Sequence, residues 1–239
     1  LVILCMVFAR NAAMAFNRYI DRNIDSKNKR TVVREIPSGI ISAKNALMFV
    51  VLNSVFFVAT TSFINEICFF LSPVALLIVL GYSYTKRFTA LCHVILGIGL
   101  SLAPIGAWLA VTGKFDWLPL LYSFAVLFWV GGFDIIYSLQ DEEFDHSQNL
   151  KSMPASLGKK GALLLSNFFH LFSAGLILYA GFFADFTLWY WIGAVLFIGL
   201  LIYQHTLVKP TDLSRVNLAF FTTNGIASVI FCVFVLMEL

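Results

Sequence analysis

Two short stretches of this chain carry acids at helical spacing. The first reads Asn17-Arg-Tyr-Ile-Asp21-Arg-Asn-Ile-Asp25 and the second Asp134-Ile-Ile-Tyr137-Ser-Leu-Gln-Asp141-Glu-Glu-Phe-Asp145. At about 100° per residue, Asn17, Asp21 and Asp25 fall on one helix face, the carboxylates about 6 Å apart along the axis. Asp134, Tyr137, Asp141 and Asp145 follow i, i+3, i+7, i+11 and are expected to share a face in the same way. Two carboxylates and an amide oxygen are the hard donors that magnesium takes, its other positions going to water and substrate phosphate. A lone D-x-x-x-D also fits a helix end solvated among headgroups. A second pair with the same spacing, offset by 120 residues, shifts the reading to a two-metal clamp for a diphosphate. Carboxylates alone would repel that group; metal ions reverse the local field. Asp134 lies deeper in its apolar run, where a carboxylate is a functional candidate by default.

Basic residues follow each acidic stretch. Arg30 and Arg34 come after the first pair, Lys151 after the second, and Lys86 closes Tyr82-Ser-Tyr-Thr-Lys86. Each could grip phosphate oxygens or tie a loop to anionic headgroups. We place Lys86, Arg30 and Arg34 at the site and Arg87, Lys159 and Lys160 at headgroups. Arg10 stands seven residues before Asn17, so it faces the same way to within about 20° and about 10 Å off. It either snorkels outward or sits inside to hold an anionic co-substrate. The four histidines (His93, His146, His170, His205) lack metal-ligand spacing, and no G-x-S-x-G, P-loop or Ser/His/Asp pattern occurs; hydrolysis through a nucleophile and ATP-driven transport have no support. Four scattered cysteines with no C-x-x-C pair argue against a disulfide framework or zinc site.

The elements that must position these groups follow from composition. Of 239 residues, 60% are hydrophobic and only 12% charged, with a mean hydropathy of +0.87; a soluble domain carries near a quarter charged residues. The numbers exclude disorder, and the lack of a basic stripe excludes nucleic acid as a partner. The expected class is an all-α polytopic membrane protein with the lipid bilayer as solvent, a single domain over 1–239. Eight segments are long enough to span: 1–21, 42–64, 67–84, 92–112, 117–138, 161–183, 187–206 and 215–237. Twelve basic loop residues alternate to one side of these spans against one on the other, which puts the acids at the cytoplasmic face of a plasma (inner) membrane. Residue 1 then lies outside, and an earlier span is expected to bring the chain there.

Taken together, N-x-x-x-D-x-x-x-D at 17–25, K-R-T-x-x-R-x-x-P-S-G at 29–39, Y-x-x-x-K-R at 82–87 and D-x-x-Y-x-x-x-D-x-x-x-D at 134–145 resemble the UbiA superfamily of intramembrane aromatic prenyltransferases. Within it, the stretch at 82–89 and Asp141-Glu-Glu-Phe-Asp145 look most like 4-hydroxybenzoate polyprenyltransferases; a related bacterial branch serves menaquinone synthesis through the futalosine route. The resemblance implies a nine-helix bundle of which this chain supplies eight, lacking the first. It implies two Mg2+ ions on Asp21, Asp25, Asp141 and Asp145. The diphosphate of a polyprenyl donor would be bound by Asn17, Arg30, Arg34, Lys86 and Lys151. Arg10 would hold the carboxylate of an aromatic acid acceptor, and Tyr82, Lys86, Asp134 and Tyr137 would be the catalytic candidates, the product feeding ubiquinone or menaquinone synthesis. CDP-alcohol phosphotransferases gather their acids in one motif, unlike the split seen here. An ion-coupled transporter would carry its acids near the bilayer midplane rather than at one rim.

Overall fold

Lipid offers no partner to a backbone N–H or C=O, so a segment that crosses it must satisfy these groups itself. The computed structural model, which describes residues 1–238, meets that demand with helices alone; no strand forms among the described residues. The long helices are α1 (Val2–Asp25), α2 (Ala43–Ser62), α3 (Glu66–Thr85), α4 (Cys92–Thr112) and α5 (Trp117–Ser138). A short α6 (Glu142–Ser147) follows, then α7 (Met153–Phe183), α8 (Leu188–Leu207) and α9 (Asn224–Glu238). Among the described residues, seven segments are long and apolar enough to cross a membrane: α2, α3, α4, Trp117–Ser147, α7, α8 and Leu218–Glu238. The eighth long helix, α1, carries Arg10, Arg18, Asp21, Arg22 and Asp25 in its 24 residues. Large apolar side chains stand open on the outside, Phe63 at 76% and Val111 at 84%. Such a surface suits acyl chains, and the protein is an integral membrane protein.

The chain divides into two compact units. One holds Leu1–Thr89 and Leu102–Phe115; the other holds Ala90–Ser101 and the chain from Asp116 on.

In the first unit, α1 packs on α2 and α3. Ser42 and Asn65 start α2 and α3 by accepting the N–H groups of Asn45 and Cys68 at 3.2 and 2.9 Å, an N-cap's task. Pro73 sits inside α3 and cannot donate to Phe69 four residues back. The neighbouring Ser72 hydroxyl donates to the Phe69 carbonyl instead, at 2.8 Å. The backbone defect is thereby repaired at membrane depth, and α3 runs on to deliver Tyr82 and Lys86.

In the second unit, α5 lies along α7, and α8 along α9. Ile135, Ile136 and Leu139 close on Ala162 and Leu163 of α7 and on Leu207, Val216 and Ala219. Three local features depart from sequence expectation. The stretch 134–145 is not one helix: α5 ends at Ser138, Leu139–Asp141 form a 3-10 turn, and α6 begins at Glu142. Three residues at 120° rather than 100° swing the later acids roughly 60° further round the axis, so Asp134 and Tyr137 do not share a continuous face with Asp141 and Asp145. Next, α7 starts at Met153 rather than 161 and kinks at Gly158, where φ is +68° and ψ 169°, a conformation open to glycine alone. Last, Leu218–Thr223 form a π turn leading into α9. The Ala219 carbonyl accepts from Gln204 at 2.9 Å and the Phe220 carbonyl from Asn224 at 2.9 Å.

Candidate active site

Because α1 is unbroken from Val2 to Asp25, the helical spacing of its polar groups holds. Ile3, Met6, Val7, Arg10 and Met14 lie on the same face as Asn17, Asp21 and Asp25; those first five side chains are all exposed. An aliphatic stripe with a single guanidinium thus leads down to the acid pair. At its foot, Asn17 Nδ2 donates to Asp21 Oδ2 at 3.0 Å, which leaves the amide oxygen as the donor atom expected for a metal. Arg34 Nη1 bridges both oxygens of Asp25, at 2.7 and 2.9 Å. The Thr31 hydroxyl donates to the Asp25 carbonyl at 3.2 Å, folding the loop after α1 back over the buried acid. Arg30 lies exposed in the same loop, its N–H donating to Asn28 Oδ1 at 2.9 Å.

One assignment changes here. Arg87, expected at headgroups, donates from Nη2 to Asp21 Oδ1 and to the Ile20 carbonyl, both at 2.9 Å, with its guanidinium 5.4 Å from the Tyr84 ring centre. Ending α3 at Thr85 with Lys86 as its C-cap turns Arg87 back onto the end of α1. Tyr82 and Lys86 are half-buried in that same last turn. Five of the expected or revised residues therefore form two bonded groups in the first unit, Asn17–Asp21–Arg87 and Asp25–Arg34.

The second unit positions its acids differently. Asp145 is completely buried and Asp141 nearly so, at 9%; ionised carboxylates at such depth require compensating positive charge. Asp134 pairs with a residue the motifs do not contain: His93 Nδ1 lies 2.6 Å from its Oδ2. The Tyr137 ring stacks on Phe220 with centroids 4.1 Å apart, so the π turn supplies the wall against which Tyr137 rests. Lys151 is exposed, and its carbonyl accepts the Cys92 thiol at 3.6 Å. Lys159, also expected at headgroups, pairs with Glu142 at 3.5 Å. A deeper pair of rings is wholly structural: His170 bonds His205 at 2.8 Å, and a Cβ on Gly132 would stand 2.3 Å from the His170 ring, so only glycine admits it.

Within either unit, no three His, Cys, Asp or Glu side chains of the described residues converge as a ready metal cage. Pairs of carboxylates with an amide oxygen nonetheless fit Mg2+, which binds through one or two carboxylates and completes its shell with water and substrate phosphates.

Known proteins resemble this chain over most of its length. The profile of the UbiA prenyltransferase family matches residues 1–226. A 4-hydroxybenzoate octaprenyltransferase of Nitrosomonas eutropha is 32% identical over 232 residues, 96% of this chain and 80% of that one. One of Tolumonas auensis is 30% identical, covering 93% and 77%. The solved apo structure of a UbiA homolog from Aeropyrum pernix superposes with a TM-score of 0.91 at 31% identity, over 99% of this chain and 88% of that one. A UbiA homolog from Archaeoglobus fulgidus bound to DMAPP and Mg2+ has the same fold, with a TM-score of 0.71 at 20% identity over 97% and 86%. The chain belongs to the UbiA prenyltransferase family and is a prenyltransferase.

Proposed function

We propose that the chain acts as one domain that transfers a polyprenyl group from its diphosphate to the ring of an aromatic acid, 4-hydroxybenzoate, in quinone biosynthesis. The observation that carries this reading is the first acid pair, set on one uninterrupted helix face beneath an aliphatic stripe bearing a single cation. The stripe suits an isoprenoid chain and Arg10 an acceptor carboxylate. Asp21, Asp25, Asp141 and Asp145, with Asn17, hold magnesium. When bound, the metal offsets the charge that builds on the departing diphosphate. Lys86, Arg30, Arg34 and Lys151 grip its outer oxygens, with Tyr82 beside Lys86 on α3. The allylic C–O bond breaks with its electron pair left on the diphosphate. The ring carbon ortho to the phenol oxygen then forms the new C–C bond and passes its proton to the released diphosphate. Asp134 and the Tyr137 ring stabilise the intervening allylic cation, the one by charge and the other by its π face. Water must be kept from that cation, which an apolar wall achieves. The 4-hydroxybenzoate octaprenyltransferase relatives support this choice of acceptor, and the charge asymmetry of the loops supports an inner membrane with the acids on the cytoplasmic side.

The test uses membranes containing the chain, geranyl diphosphate and either radiolabelled 4-hydroxybenzoate or another radiolabelled aromatic acid. Transfer should stop in EDTA and return with Mg2+. Asp21→Ala and Asp141→Ala should abolish turnover in folded protein. Full activity without divalent metal, or in either variant, contradicts the metal-clamp reading, and product from other aromatic acids alone contradicts the acceptor.

A further inference from the structure

His93 has no place in the reaction as described so far. It is 3% exposed in the first turn of α4, and both its ring nitrogens meet fixed partners within the second unit. The Met153 backbone N–H donates to Nε2 at 3.3 Å, while Nδ1 lies 2.6 Å from Asp134 Oδ2. A nitrogen that accepts from a backbone amide keeps its lone pair. The ring's single proton therefore sits on Nδ1 and is donated to the carboxylate.

Two consequences follow from this tautomer. The ring is a neutral donor, so the pair keeps the full negative charge of Asp134; an imidazolium in its place would cancel that charge. The ring is also closed to proton relay, because its far nitrogen is engaged by a backbone group that has no proton to exchange with substrate. The Asp134 side chain remains 22% exposed, so the carboxylate is still open on one side. The segment that fixes the ring is itself secured by the preceding residue, since the Cys92 thiol bonds the Lys151 carbonyl at 3.6 Å. The first turn of α4 thus ties the acid on α5 to the start of α7.

We infer that His93 is a positioning residue for the transfer step: it aims the Asp134 carboxylate and holds it as an anion for the allylic cation, with the Met153 amide as its fixed stop. This rests on the role proposed above for Asp134.

Three substitutions separate the functions of the ring. His93→Gln keeps an acceptor at the distance of Nε2 and loses the donor to Asp134. His93→Asn places an amide N–H two bonds from Cβ, where Nδ1 stands. His93→Lys sets a permanent cation against the carboxylate. In membranes with geranyl diphosphate, 4-hydroxybenzoate and Mg2+, kcat of His93→Gln should fall roughly ten- to a hundredfold, the effect of losing a bond to a charged group. Both KM values should stay within about twofold, because no contact to bound substrate is removed. His93→Asn should recover most of the loss, and His93→Lys should fall as far as Asp134→Asn. Thermal melting in detergent checks that each variant is folded. Wild-type kcat in His93→Gln overturns the inference, as does a folded His93→Asn no better than His93→Gln. If the Gln variant does not fold, equal activity of the folded Asn and Lys variants overturns it. An inactive Asp134→Asn beside an unimpaired His93→Gln removes the role of His93 alone, whereas an active Asp134→Asn removes the proposed role of Asp134 and this inference with it.

Discussion

Arg34 and Arg87 hold the two acids of α1 by unlike bonds. Arg34 spans both oxygens of Asp25, whose side chain is 6% exposed; Arg87 touches one oxygen of Asp21, at 22%. Removing one partner of a buried pair strands a charge, while an open pair is worth little. In EDTA, Arg34→Ala should therefore lower stability by about 2 kcal/mol and Arg87→Ala by less than about 1 kcal/mol, read from melting in detergent; the reverse order would show that the loop and not the ion pair sets the cost. Arg10 is tested through kinetics. If it holds the acceptor carboxylate, Arg10→Ala should raise the acceptor KM about ten- to a hundredfold. The donor KM should change little, because Asp21 lies eleven residues and about 16 Å further down the helix. Lys should rescue only in part, lacking the fork; full rescue by Lys with unchanged KM in Ala would place the guanidinium among headgroups. The acids themselves were legible from spacing, because their partners along α1 are four residues apart. Arg87 and His93 were not: the residues they hold lie 66 and 41 positions away, and no local pattern records a contact made by chain crossing.

At the scale of elements, apolar length located the helices to within a few residues at most ends, since the demand to satisfy the backbone in lipid leaves little freedom. The interruptions were hidden for the converse reason. The 3-10 turn at Leu139–Asp141 contains neither glycine nor proline, and the π turn at Leu218–Thr223 is as apolar as the helix it enters. Gly158 is the interruption with a local cause, and it makes a direct prediction. A Cβ there meets nothing within 4 Å, so the cost of Gly158→Ala is backbone strain alone, about 1–3 kcal/mol. The same change at Gly175, helical and equally open, should be neutral or stabilising by up to about 1 kcal/mol. Paired melting curves check both, and equal effects would mean that α7 has no true kink.

For the whole molecule, the proposed bilayer orientation rests on loop charge and is open to direct test. With exposed Cys232 first changed to Ser, Ser26→Cys and Ser147→Cys should react with an impermeant thiol reagent only from the cytoplasmic side, and Asp185→Cys only from outside. All three positions are open to reagent, so labelling of Ser26→Cys from outside would invert the topology. The π turn has a consequence at this same scale, because a helix carries phase from one membrane face to the other. About 22 Å beyond it, Glu238 accepts the Thr187 hydroxyl at 2.9 Å and the Tyr190 N–H at 3.2 Å at the start of α8, and Phe234 fits against Gly193, where a Cβ would stand 2.6 Å away. Winding the wide turn into an ordinary one with all its residues kept would rotate everything after it by about 100°, taking Glu238 off the end of α8. The extra residue therefore works as a crankshaft offset, timing a capping acid on one face against the Tyr137 wall on the other. Deleting Phe221 should therefore leave the far cap in register and cost Tyr137 only its edge-on neighbour, whereas inserting one alanine after Gly225 should rotate Glu238 away from Thr187 and Tyr190 and lower the melting temperature sharply.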